Sequence, residues 1–289
     1  MPQSSIFHSF DATPFLLQKW SNCDASETVI IGGHGFCGAS YDFSGFASQV
    51  LSEVPNTTIY ATNLRGMGLD PVEGRRGDIE NSDYWLRDLH ELTKQVRARH
   101  PDSRIIWCSE SLGAMIATHA YSSAPSELHK CDALALLSPV VEIGNQVPRW
   151  KIGVAKAIAK LAPSFRLKLD FFTGQQQVQV TQGADDHTEQ SATNDWHVDS
   201  FTLRQLSAIG SLIEGMKDEA KHLDYPVLVL NGGNDYFTPA EAIDNWLPNI
   251  PNSAELTHQH FPDAYHLMLY DAQASEIFTA VSDWIKSLK

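Results

Sequence analysis

Three side chains with complementary chemistry stand far apart in this chain: Ser111, Asp235 and His266. A serine hydroxyl is a weak nucleophile until an imidazole takes its proton and a third group orients that imidazole. Such a trio would attack a carbonyl carbon, pass through an acyl-enzyme and release an alcohol. The setting of Ser111 points the same way. It sits in Ser109-Glu110-Ser111-Leu112-Gly113, the G-x-S-x-G pattern with serine in place of the first glycine. Small residues two before and two after the nucleophile let the chain turn sharply from strand to helix, leaving Oγ exposed on a strained backbone. Taken alone, S-x-S-x-G would equally suit a helix start with a serine cap.

The elements around these residues are what separate the two readings. Ile105 to Cys108 is a short apolar run and Leu112 to Thr118 a helix-forming one, so Ser111 falls at a strand-to-helix junction. Phe7–Phe10 and Pro14–Trp20 read as a first hairpin, with Asp11-Ala12-Thr13 as its turn. Thr28 to Ile31 is a buried-type strand that ends in Gly32-Gly33-His34-Gly35-Phe36, a glycine cluster able to aim backbone N–H groups at a ligand. A helix over 42–54, a strand over 57–61, a loop over 69–81 and a helix over 82–99 follow. In that last helix Trp85, Leu89, Leu92 and Val96 share one face. Ala133 to Leu137 is the next strand.

Between 140 and 222 the alternation lapses: helical stretches over 150–161 and 201–216 flank a polar segment over 175–194. It resumes with a strand over 226–230, a helix over 239–246, a strand over 255–261 and a closing helix over 273–288. This predicts an α/β fold, a mostly parallel sheet flanked by helices, with 1–139 and 223–289 as the core and 140–222 as a helical cap. Asp235 and His266 each follow a strand of the resumed part. Asp235 could be a turn or cap residue, and Asp263 stands nearer to His266 in sequence. Yet type, order and strand-end placement agree at all three positions.

Composition narrows the partners. The 289 residues carry 35 acidic and 21 basic side chains, a formal charge of −14, which argues against nucleic acid. No basic and apolar leader and no run of 18 apolar residues is seen. Cys23, Cys37, Cys108 and Cys131 show neither metal spacing nor a disulfide framework, which suits a cytoplasmic protein with reduced thiols. His258 and His260 alternate on one strand face, but two imidazoles without a third ligand nearby do not make a metal site. No metal or organic cofactor is called for.

The chain resembles serine hydrolases of the α/β-hydrolase fold, nearest the monoacylglycerol lipase and lysophospholipase branch. His34-Gly35-Phe36, Arg65-Gly66-Met67-Gly68, Ser109 to Gly113, Leu136-Leu137-Ser138-Pro139, Asn231 to Asp235 and Ala264-Tyr265-His266 carry the resemblance, over about residues 25–289 and weakly in the insertion. It departs at Ser109 and at Leu69-Asp70, where the family continues R-G-x-G-x-S. The resemblance implies Ser111 as nucleophile, His266 as base, Asp235 as orienter, and the amides of Phe36 and Leu112 as oxyanion hole. Monoacylglycerol-like or lysophospholipid-like esters are the implied substrates. Thioester, lactone or amide cleavage would use the same trio, and a ligand-binding protein derived from a hydrolase would keep it. Dehalogenase and epoxide-hydrolase chemistry needs an aspartate where Ser111 stands.

Two further expectations concern flanking residues. Glu110 should point into the structure, towards a buried hydrogen bond rather than a role tuning the site, and Cys37 should be a small packing residue. In the insertion, Arg149 to Lys168 holds six basic residues and no acidic one, and Trp150, Val154, Ile158 and Leu161 recur at helical spacing. The plainer reading lays that helix on the core. The sharper one makes it an interfacial helix that takes amphiphilic substrate from a membrane or micelle.

Overall fold

The computed structural model describes residues 2–142, 158, 159, 161–168, 179–181, 198 and 200–288. Its centre is an eight-stranded sheet in the order β1-β2-β4-β3-β5-β6-β9-β10. The strands are β1 (Gln3–His8), β2 (Pro14–Ser21), β3 (Thr28–Gly33), β4 (Thr57–Thr62), β5 (Arg104–Glu110), β6 (Ala133–Leu137), β9 (Val227–Gly232) and β10 (Leu256–Phe261). β1 and β2 form the expected antiparallel hairpin, and β2 pairs antiparallel with β4. From β4 to β10 every pairing is parallel. The inner strands are apolar and buried along almost their whole length, because helices cover both faces of a parallel sheet.

On one face, α2 (Asp83–Arg99), α3 (Leu112–Ser123), α4 (Leu203–Glu219) and α5 (Ala240–Trp246) close over an apolar cluster that includes Trp85, Trp107, Met115, Met216 and Trp246. On the other, α1 (Phe43–Glu53) and α6 (Ala274–Ser287) cover Ile30, Ile106, Phe43, Phe46, Phe278 and Trp284. The result is an α/β-hydrolase fold: a mostly parallel sheet between two helical layers. Its first helix is shorter than the sequence suggests, since residues 40–42 form a separate 3-10 turn.

Two polar clasps fix the loops at the carboxyl ends of the strands. Arg65, 1 % exposed, reaches Asp11 in the hairpin turn and Asp88 on α2, each at 2.7 Å. Asp70, where the sequence leaves the R-G-x-G-x-S pattern, accepts the Gly66 amide at 2.6 Å and bonds Arg75 at 2.7 Å. Its carboxylate therefore organises this loop.

The segment over 140–222 ends in α4, which packs in the helical layer over the sheet; ahead of it two strands of three residues each are described, β7 (Arg166–Lys168) and β8 (Ser200–Thr202), paired antiparallel. The loop after β4 holds them: Thr202 N donates to Gly77 O at 2.8 Å, and Thr202 Oγ1 to Asp78 at 2.6 Å. Gly77 has φ +77°, and a Cβ there would lie 2.2 Å from Ser200 O, so only glycine fits. Thr202 also caps α4, accepting the Gln205 amide at 3.2 Å. The expected helix over 150–161 lies outside the described residues except at 158, 159 and 161, as do Lys151, Lys156 and Lys160.

Candidate active site

Ser111 is the hinge between β5 and α3, with φ +53° and ψ −114°, a conformation an L side chain adopts only under strain. Sheet and helix hold it there. Its amide donates to Leu137 O on β6 at 3.0 Å, and its carbonyl accepts the Met115 amide at 3.1 Å as α3 begins. Gly113 explains the small residue two positions on: a Cβ would lie 2.3 Å from Gly33 O, so helix and strand meet backbone to backbone. Ser109 is accommodated by its neighbour in the ladder, Gly33. A Cβ at Gly33 would meet Ser109 Oγ at 2.6 Å, so glycine on β3 supplies the room that a glycine at 109 would otherwise have left.

The three dispersed residues come together. His266 Nε2 lies 2.8 Å from Ser111 Oγ, and His266 Nδ1 lies 2.8 Å from Asp235 Oδ2. The other oxygen of Asp235 accepts the amides of Phe237 at 2.8 Å and Thr238 at 3.1 Å. These bonds fix its orientation in the turn that leads through Pro239 into α5. Asp263, the nearer candidate in sequence, plays no such part: its carbonyl accepts Asn234 Nδ2 at 3.1 Å. Burial alone would lower the basicity of His266. The charge and hydrogen bond of Asp235, with a contribution from Glu110, outweigh it and raise the pKa above that of an ordinary imidazole.

The loop after β3 lies against Ser111. A Cβ at Gly35 would sit 3.3 Å from Ser111 Cβ, which shows how close this backbone comes. His34 holds the loop from behind. Its Nε2 accepts the Leu64 amide at 2.9 Å, so Nδ1 carries the proton and donates to Gly35 O at 2.8 Å. Burial keeps this ring neutral, with a pKa of about 4. Gly38 N donates to the same Gly35 carbonyl at 3.1 Å, closing a turn that contains Phe36, and Cys37 has φ +61°. The Leu112 amide belongs to the first turn of α3, where N–H groups have no partner within the helix.

Several site residues were not anticipated. Phe237 stacks edge-on against His266 at 4.8 Å between centroids, and Phe201 packs on Phe36 at 4.4 Å. The backbone at Val180 also reaches the loop of His266, for Leu267 N donates to Val180 O at 2.8 Å. The Tyr236-Phe237 pair beside Asp235 was a visible hint of the first contact; nothing in the sequence indicated the last. His258 Nε2 and His260 Nδ1 both bond the side chain of Asn231, at 2.7 and 3.1 Å. Among the described residues no group of three metal-binding side chains occurs.

Residues 24–273 match the family described as serine aminopeptidase, S33, a group of α/β-hydrolases. The chain belongs to this family. A curated monoacylglycerol lipase of Mycolicibacterium smegmatis is 22% identical over 271 residues, covering 93% of this chain and 91% of the relative. Among solved structures, the monoacylglycerol lipase of Paleococcus ferrophilus superposes with TM-score 0.78 at 17% identity, over 94% of this chain and 98% of that one. A soluble variant of monoglyceride lipase from Saccharomyces cerevisiae, in complex with a substrate analogue, gives TM-score 0.82 at 14% identity, over 98% and 94%. The protein is thus a hydrolase of esterase and lipase type, and these likenesses confirm the fold expected from the sequence.

Proposed function

We propose that this hydrolase cleaves carboxylic esters through an acyl-enzyme on Ser111, with monoacylglycerol-like or lysophospholipid-like esters as substrates. The observation that carries the reading is the 2.8 Å approach of His266 Nε2 to the hydroxyl of a serine held at φ +53°. Ser111 Oγ attacks the carbonyl carbon while His266 Nε2 takes its proton. Asp235 keeps the proton on Nδ1, so that Nε2 is the basic nitrogen, and stabilises the imidazolium. The amides of Phe36 and Leu112 receive the oxyanion, each donor being worth about 3 kcal/mol in the transition state. His266 then protonates the leaving alcohol and activates the water that releases the acid. Phe36, packed on the buried Phe201, and Phe237 offer apolar surface for an acyl chain.

The substrate class is supported by the relatives' names, and contact with a membrane or micelle by the exposure of Ile158, Leu161 and Phe165 at the insertion. Co-sedimentation with anionic liposomes, weakened when Lys151, Lys156 and Lys160 are neutralised, tests that contact; unchanged binding would end it. The chemistry is tested by turnover of p-nitrophenyl esters from acetate to palmitate, beside a monoacylglycerol. Ser111→Ala should abolish multiple turnover, and the preferred chain length measures the acyl site. Turnover that survives the substitution would overturn the assignment of the nucleophile.

A further inference from the structure

Glu110 takes no part in the proton relay, yet it touches what the relay depends on. It ends β5 immediately before the nucleophile, and only 2 % of it is exposed. Oε1 accepts the Leu269 amide at 2.9 Å, three residues beyond His266. Oε2 lies 3.7 Å from where a Cβ on Gly35 would stand, so the carboxyl also borders the loop of Phe36. One side chain thus meets the strand of the nucleophile, the loop of the base and the wall of the oxyanion site.

We propose that Glu110 is a positioning residue: it locks the loop carrying His266 onto the strand carrying Ser111, and its negative charge supports the imidazolium that forms when the serine gives up its proton. The inference rests on the roles given above to Ser111 and His266. Asp235 orients the ring through Nδ1 but leaves open how far the chain bearing that ring stands from the elbow. The bond from Leu269 to Glu110 sets that distance, with help from Tyr270 Oη, which donates to Asp42 at 2.6 Å, and from Tyr265 N, which donates to Asp271 at 3.0 Å. A buried carboxylate next to a developing cation is stabilising in the transition state alone, because the cation is absent before proton transfer.

The ionisable groups around Glu110 make its charge available at the right pH. His266 and Tyr270 face it from the loop after β10, Asp42 from the turn before α1, and Cys108 from its own strand. Burial pushes Glu110 up to about 7, and the Asp42 charge adds to this, while the Leu269 amide and His266 act against it. As pH rises above about 7 the carboxylate becomes the predominant form of Glu110.

Glu110→Gln keeps an oxygen for the Leu269 amide and removes the charge; Glu110→Asp keeps the charge and shortens the reach. With Glu110→Gln, kcat on a p-nitrophenyl ester should fall roughly tenfold with KM little changed, a fraction of the 10²–10⁴ that a positioned base supplies. The acid limb of the kcat/KM profile should move to lower pH, since the imidazolium loses a partner. Glu110→Asp should also lose kcat but keep the limb at the wild-type pH. Melting temperatures and labelling of Ser111 by a fluorophosphonate separate these effects from unfolding. Wild-type kcat and an unmoved limb in Glu110→Gln, with Ser111→Ala inactive, would overturn this role alone. Turnover by Ser111→Ala would overturn the reading beneath it as well.

Discussion

The loop after β9 and the floor beneath the elbow each present a carboxyl to the surroundings of His266, and both carboxyls are buried, at 7 % and 2 % exposure. In the loop, Asp235 accepts two backbone amides on one oxygen and the imidazole on the other. Beneath the elbow, Glu110 accepts the Leu269 amide, feels the Asp42 charge, and is pushed up to about 7. The two buried carboxyls thus draw on different donors. The loop offers a ready set of amides because it turns into α5. Beneath the elbow the donors are the Leu269 and Met268 amides of the loop that carries His266.

Removing the charge from the loop should do the most damage. Asp235→Asn keeps the shape but lets His266 take the wrong tautomer, and should lower kcat by about 10⁴. The acid limb should shift to lower pH, because burial then dominates the ring's basicity. A loss of only tenfold would erase the distinction between the two regions. Glu110→Gln comes next, with its smaller loss of kcat.

The effect on stability has the opposite sign. A carboxyl whose folded pKa is raised from 4.5 to about 7 favours the fold below 4.5 and loses that contribution as pH rises through 7. Glu110→Gln should therefore melt like the wild type at pH 4. At pH 8 it should be the more stable protein, by roughly 3 kcal/mol at about 1.4 kcal/mol per unit. Melting curves at the two values decide it, and a variant less stable than wild type at pH 8 would contradict the reading. The charge beneath the elbow then costs stability where it helps catalysis.

The parts of this arrangement that the sequence displayed are those tied to strand ends. Ser111 was marked by the junction of an apolar run with a helix. Asp235 and His266 were marked by their places after the last two strands, and Asp235 prevailed over the nearer Asp263 because the sheet brings β9 beside β6. Glu110 could be assigned inward from its position on β5, but its partner could not be seen, since that partner is a backbone amide 159 residues away. The three-residue strands β7 and β8 have no periodicity to betray them; they exist because Gly77 and Asp78 hold Thr202. The Val180 carbonyl at Leu267 is a main-chain contact and leaves no trace in residue type.

The separation of His266 from Ser111 by 155 residues also sets a timetable for synthesis. When a ribosome has made the chain through β6, the elbow can be strained into place, because Leu137 O is already there to receive the Ser111 amide. Ser111 then stands without His266. Asp235 arrives with β9, and His266 only after β10 has been translated and added at the sheet's edge. Esterase activity in a stalled or truncated chain would therefore appear abruptly with the final strand, making catalysis a report on whether the carboxyl-terminal part of the sheet has docked.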